Sequence, residues 1–199
     1  MQIVNFTGLQ SQTSPDNESN DLAATLFRGN SDTTLVNGII ATPNNECVRM
    51  NGSGTSPATL VARSVVLQCN ATKYLGSGSY TAAQVATSFG TGANNNNDAF
   101  TTSFSSLFIN GTNESAVVAT NPATFSGVPA SVQSLFTATN YIGAVKDIND
   151  TRFSGWTCNS TTATFGTSEQ VRVRHCLHTK LRAMIWVERG LTGHAPPFF

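Results

Sequence analysis

The sequence predicts an all-β fold, a fragment of a parallel β-helix (solenoid) closed by a short helical and loop-built C-terminal cap. Two observations predict it. Arg28-Gly29-Asn30 is followed by Thr34-Leu35-Val36, and Arg49-Met50-Asn51 by Thr59-Leu60-Val61, so the Thr-Leu-Val triplets recur 25 residues apart. Each triplet opens a run rich in Val, Ile, Leu and Thr, Leu35 to Ile40 and then Leu60 to Leu67, bounded by Asn, Gly, Pro and Ser. Such runs read as short strands between turns. A period of about 25 residues holding two strands is the size of one solenoid coil, which buries its apolar face only against a neighbour.

The elements follow in order. Ile3-Val4-Asn5-Phe6 reads as a strand already inside an array, so the chain is expected to be the C-terminal piece of a longer protein. Gln10 to Asn20 and Gly52 to Pro57 carry the residues that turns require. Residues 1–70 are thus assigned to the coils. Along Thr34 to Ile40 the alternation is imperfect, as expected where corners interrupt a strand. Tyr80 to Gly90 predicts a short helix, with Thr81 as N-cap, Val85 and Phe89 on one face, and Gly90 as the stop. A polar loop follows through Asn94 to Asp98. Ser106 to Gly111 predicts a strand, and Val132, Leu135 and Phe136 one helical turn. Residues 71–166 are assigned to an excursion, the last strands and the cap.

Composition narrows the function classes. Only 11% of residues are charged and the formal net charge is zero, against about 25% charged in an average domain. No basic field exists to attract nucleic acid or an anionic membrane, and no segment suffices for a transmembrane helix. Asn, Thr, Ser and Gly supply the polarity, which suits an extracellular β-rich protein. The four cysteines, Cys47, Cys69, Cys158 and Cys176, allow two disulfides in three pairings. Cys47 and Cys69 are separated by nearly one period, yet the 25-residue register sets Asn44, not Cys47, over Cys69. Disulfides and buried free thiols both stay open.

Residues 136–166 hold the most distinctive string: Asn140-Tyr141-Ile142-Gly143-Ala144-Val145, then Asp150-Thr151, then Gly155-Trp156-Thr157-Cys158. Together with Leu26-Phe27-Arg28-Gly29 and Thr34-Leu35-Val36-Asn37-Gly38, it resembles the C-terminal part of a group of large bacterial secreted proteins. These are uncharacterised and often labelled lipoproteins or hypothetical β-helix proteins. The resemblance covers roughly residues 20–166. It implies a right-handed parallel β-helix and export from the cell, and it carries no activity. Residues 168–199 depart from it. All three histidines and five of the eleven Lys and Arg lie there, and the Asn/Thr/Ser bias ends. Residues 167–199 are therefore read as an atypical basic tail, with an out-of-frame end favoured over a docked basic helix. The body is expected to fold without it.

No constellation for catalysis, cofactor or metal is expected. The acids Asp32, Glu46, Asp98, Glu114, Asp147 and Asp150 are scattered, whereas calcium or polysaccharide chemistry needs several that converge. Asp147 and Asp150 read as a solvated turn. His175-Cys176-Leu177-His178 is too tightly spaced for the usual zinc pattern. Arg28 and Arg49 hold equivalent repeat positions. They read as outward side chains whose stems cover apolar surface, or else as a ladder for surface ligand contact. The expected function is a non-catalytic extracellular or cell-surface protein, in adhesion, glycan contact or scaffolding, with polysaccharide or cell-surface components as partners. The alternative is the C-terminal piece of a polysaccharide lyase or hydrolase whose catalytic coils lie elsewhere.

Overall fold

Among the described residues, six strands alternate between two parallel sheets. The computed structural model describes residues 1–13, 23–105 and 107–152. The strands are β1 (Gln2–Leu9), β2 (Ala23–Phe27), β3 (Asp32–Thr42), β4 (Glu46–Asn51), β5 (Thr59–Cys69) and β6 (Tyr74–Ser77). Odd strands form one three-stranded sheet in the order β1-β3-β5, and even strands a second in the order β2-β4-β6. All four pairings are parallel. Val, Ile, Leu and Thr dominate the central strands, and both faces of β3 are buried, as parallel sheets covered on two sides require.

The β-helix expectation is overturned by this topology. The described residues form two small open sheets, with no closed or solenoid sheet among them. Among the described residues no strand follows β6. The expected 25-residue register is also wrong. Asp32 lies beside Thr59 and Gln2 beside Thr34, so the steps are 27 and 32 residues. Leu35 therefore neighbours Ala62, and Leu60 neighbours Thr33. Both leucines are still buried, because a two-residue shift keeps a side chain on the same face of a strand.

The first sheet is bent along one column. Asn5, Asn37 and Ser64 all have positive φ (49°, 57° and 54°), and they fall side by side between the registered pairs Val4–Val36, Phe6–Gly38, Val36–Arg63 and Gly38–Val65. Asn tolerates this conformation better than most residues. A single left-handed residue turns the strand and switches which parity faces inward. Leu35, Leu60 and Ala62 before the bend share the inner core with Ile40, Val65 and Leu67 after it. Ile39, Ala41 and Val66 point instead into a second cluster outside the sheet. Phe6 lies over Gly38, where an added Cβ would stand 2.1 Å from the ring.

The inner core lies between the sheets. Phe27, Val48 and Met50 of the second sheet pack there with Leu35, Leu60, Val65 and Leu67 of the first. Helix α1 (Ala82–Phe89) closes one end of it with Val85 and Phe89. This helix is as the sequence predicts. The Thr81 hydroxyl accepts from Gln84 N, and the Gln84 side chain accepts from Thr81 N, a reciprocal cap. The predicted loop at Asn94 to Asp98 has a structural duty: it satisfies the outer edge of β5. Ser64 N donates to Asn94 O, Leu67 N to Asn97 O, and Asn97 N to Val65 O. The buried Asn96 side chain accepts from Val65 N and donates to Ala62 O.

The remaining segment, through Asp147, packs on the outer face of the first sheet. Its described residues form two four-residue helices, α2 (Thr112–Ser115) and α3 (Ala130–Gln133). The strand expected at 106–111 reduces to one isolated bridge, Ile109 to Val145. Glu114 is buried and accepts from Ser103 N (2.7 Å), Ser103 Oγ (2.9 Å) and Gly111 N (2.8 Å). The backbone there is thus organised by one carboxylate instead of by a ladder.

The Tyr141 to Val145 string acts as a latch. Ile142 and Val145 are buried, Gly143 N donates to Asn37 O, and Ala144 N donates to Thr7 Oγ1. Gly143 has φ +81°, and a Cβ there would lie 2.6 Å from Ile39 Cδ1 and 2.9 Å from Asn110 Oδ1. Gly143→Ala should therefore lower stability by about 2–3 kcal/mol from strain and overpacking together. Chemical denaturation would read this as a lower midpoint with an unchanged slope; an unchanged midpoint would reject the latch.

The chain divides into two compact units, Met1–Asp147 and Ile148–Phe199. The strands β1 to β6 and the helices α1 to α3 belong to the first. In the second, Asp150 binds Arg152 in a fork, with Nε to Oδ1 at 3.0 Å and Nη2 to Oδ2 at 2.9 Å. Gly155 to Cys158, Cys176, the His175–His178 cluster and the basic tail lie outside the described residues.

Candidate functional site

The residues that invite a chemical reading gather where β4, β5 and β6 meet. Cys47 is the second residue of β4 and Cys69 the last of β5, and the two form a disulfide with Cα atoms 5.5 Å apart. The true register sets Thr42, not Asn44, beside Cys69. The turn at 43–45 then carries Cys47 back beneath β5, and Thr42 Oγ1 lies 3.5 Å from Cys47 Sγ. Cys47 is fully buried. The bond therefore ties the two sheets together at the margin of the core, with Cys47 inside it and Cys69 partly buried against it.

Beside it stand Lys73, Tyr74 and Asp98. Lys73 O accepts from the Cys47 and Val48 amides. Lys73 Nζ lies 3.2 Å from Asp98 Oδ1, and Tyr74 donates to Asp98 Oδ2 at 3.0 Å. The Tyr74 ring packs against Phe89, with centroids 5.9 Å apart. Burial, and then the hydrogen bond and charge of Asp98, push the Tyr74 phenol well above its ordinary range. The phenol is therefore held protonated as a donor. That is the opposite of activation as a base or nucleophile. Sequence reading missed this group because Asp98 lies in an Asn-rich loop far from Lys73 in the chain. The partly exposed ion pair contributes under about 1 kcal/mol.

The structure separates the two arginines that the repeat had placed as equivalents. Arg49 is buried within β4, in register with Leu26. Arg28 is exposed on the turn after β2, at the rim of a shallow hollow of about 460 Å³ that also includes Asn30, Ser31 and Asp32. They do not form a ladder on one face. Asp147 lies 3.9 Å from Lys146, and Asp150 is engaged by Arg152. Among the described residues no group of three or more His, Cys, Asp or Glu could hold a metal ion.

Among the described residues, no helix is long and apolar enough to cross a membrane. The chain matches no protein-family model, no curated protein and no solved structure.

Proposed function

We propose that this chain is a non-catalytic structural element of an exported protein, exposed outside the cell and engaged in adhesion, scaffolding or contact with neutral glycans. The Cys47–Cys69 disulfide carries this reading. Disulfides persist in oxidising compartments and are rare in reducing ones. This one cross-links the two sheets through the fully buried Cys47, as a structural bond would. The resemblance of the Tyr141 to Val145 and Gly155 to Cys158 strings to bacterial secreted proteins supports the same compartment. Turns built from Asn, Ser and Thr, such as Asn51 to Ser56, supply neutral donors and acceptors suited to sugar hydroxyls. Three of the carboxylates among the described residues are already engaged. Glu114 is occupied by backbone and hydroxyl donors, Asp98 by Lys73 and Tyr74, and Asp150 by Arg152.

The test is incubation of the purified chain with neutral and acidic polysaccharides, with and without calcium, while following reducing ends and unsaturated products. Retention on immobilised neutral glycan without turnover is the expected result. Turnover abolished by Asp147→Ala or Asp150→Ala would overturn the proposal.

A further inference from the structure

The turn from β2 into β3 lines a shallow hollow of about 460 Å³. The lining mixes two chemistries. Leu26 and Phe27 supply an apolar side, and Arg28, Asn30, Asp32 and Thr33 supply polar groups. The turn is braced from within and from its neighbour. Ser31 Oγ donates to Arg28 O, and Asn30 Oδ1 accepts from Thr55 Oγ1 at 2.7 Å and from Ser56 N at 2.9 Å. Its side chains are thus presented from backbone that is already ordered, which lowers the cost of binding.

Three polar groups here have capacity left over. Arg28 is exposed, and among the described residues its guanidinium pairs with no acid. Asp32 is exposed as well, and its Oδ1 accepts from Thr59 Oγ1, which leaves Oδ2 to accept from something else. Thr33 is 2% exposed, and its hydroxyl has no hydrogen-bond partner among the described residues. A buried polar group of this kind costs free energy until a partner satisfies it.

One guanidinium and one carboxylate in the same hollow cancel in net charge, so neither an anion nor a cation is favoured. They match a ligand that accepts and donates through adjacent atoms. Neighbouring hydroxyls of a sugar ring do both, and the C–H face of the same ring suits Leu26 and Phe27. A free amino acid also offers both signs, but so small a molecule needs a pocket that encloses most of its surface. A shallow hollow suits one residue of a longer glycan, whose ends run out past the rim.

We infer that this hollow is a subsite for one neutral sugar residue, held through a vicinal diol. Arg28 donates to one hydroxyl oxygen, Asp32 Oδ2 accepts from the neighbouring hydroxyl, and the Thr33 hydroxyl completes the set. The inference rests on the proposed contact with neutral glycans and gives that contact a place and a chemistry.

Amide NMR titration with maltotriose, cellotriose and mannotriose tests it. Saturable shifts are expected at residues 26–33 and at the Arg28 side chain with at least one of these sugars. Arg28→Ala and Asp32→Asn should each weaken that binding about tenfold or more, the scale of a hydrogen bond to a charged group. Asparagine at position 32 keeps an oxygen for Thr59, so the turn should survive, as circular dichroism would verify. Thr33→Val should weaken binding about fivefold without lowering the thermal midpoint, because it removes a hydroxyl that no described residue satisfies. Absence of shifts with all three sugars, binding indifferent to these substitutions, or glycine shifting the same amides when the sugars do not would each overturn the inference. Shifts confined to other turns, such as 51–56, would overturn this subsite and leave the glycan reading in place. Cleavage of a sugar bound at 26–33 would instead uphold the subsite and contradict the non-catalytic reading.

Discussion

Asn37→Ala should destabilise the chain by about 3 kcal/mol, a drop of roughly 10 °C in thermal midpoint for a chain of this size. Asn37 is fully buried and holds φ 57°. Its Nδ2 donates to Thr120 O at 2.8 Å, and its Oδ1 accepts from Thr120 N at 2.8 Å. Alanine removes both bonds, leaves two backbone groups of the covering segment unsatisfied, and adds about 1 kcal/mol for the left-handed conformation. Asn37→Gly separates the two contributions. Glycine adopts the conformation freely, so this variant should recover the backbone part and keep the loss of hydrogen bonds. Equal losses in both variants would show that the conformation at the bend costs nothing. A loss below about 1 kcal/mol in Asn37→Ala, the worth of one ordinary hydrogen bond, would show that the 117–143 segment does not depend on this column.

Removing the disulfide should cost a similar amount. The sequence separation is 22 residues, and chain-entropy arguments assign a loop of that length about 3 kcal/mol. The double variant Cys47→Ala with Cys69→Ala avoids leaving a hydroxyl in the position of the buried Cys47. It should unfold roughly 10 °C below the parent and become insensitive to reductant. If the parent also shows no response to reductant, the bond is absent in solution.

Parallel strands and their approximate positions were legible because hydrophobic run length and turn chemistry are local properties. Helix α1 was legible for the same reason: Thr81, Gln84, Val85, Phe89 and Gly90 write the whole signal into one stretch. The register was not legible. Leu35 and Leu60 repeat in sequence, yet the turn at 52–58 sets the spacing, and a two-residue slip leaves both leucines facing inward. The solenoid expectation failed on the same ground, since it extended two similar runs into an array. Between helix α1 and Asp147 the described residues are held largely by single side chains acting on distant backbone, such as Asn96 on β5, Glu114 on Ser103 and Asn37 on Thr120. Such contacts have no period to detect. The imperfect alternation along Thr34 to Ile40 did carry information. Its break falls at Asn37, and the equivalent break in β5 falls at Ser64, which marks the bend column. The Tyr141 to Val145 string stood out for a structural reason: Gly143 must accept a positive φ against Ile39.

The arginine pair shows the limit of reasoning from repeats. Arg28 and Arg49 follow similar contexts, yet one is exposed and the other buried, because Arg28 lies beyond the end of β2 and Arg49 lies inside β4. Tyr74 and Asp98 were invisible for the opposite reason, being ordinary residues whose proximity arises only when the 94–100 segment closes β5.

The proposed export of a disulfide-stapled chain is tested most directly by peptide mapping of protein recovered from its native source, alkylated before lysis and digested without reductant. A Cys47–Cys69 cross-linked peptide in the fraction outside the cytoplasm is the expected result. Recovery of both cysteines as alkylated thiols from the cytoplasmic fraction would contradict it.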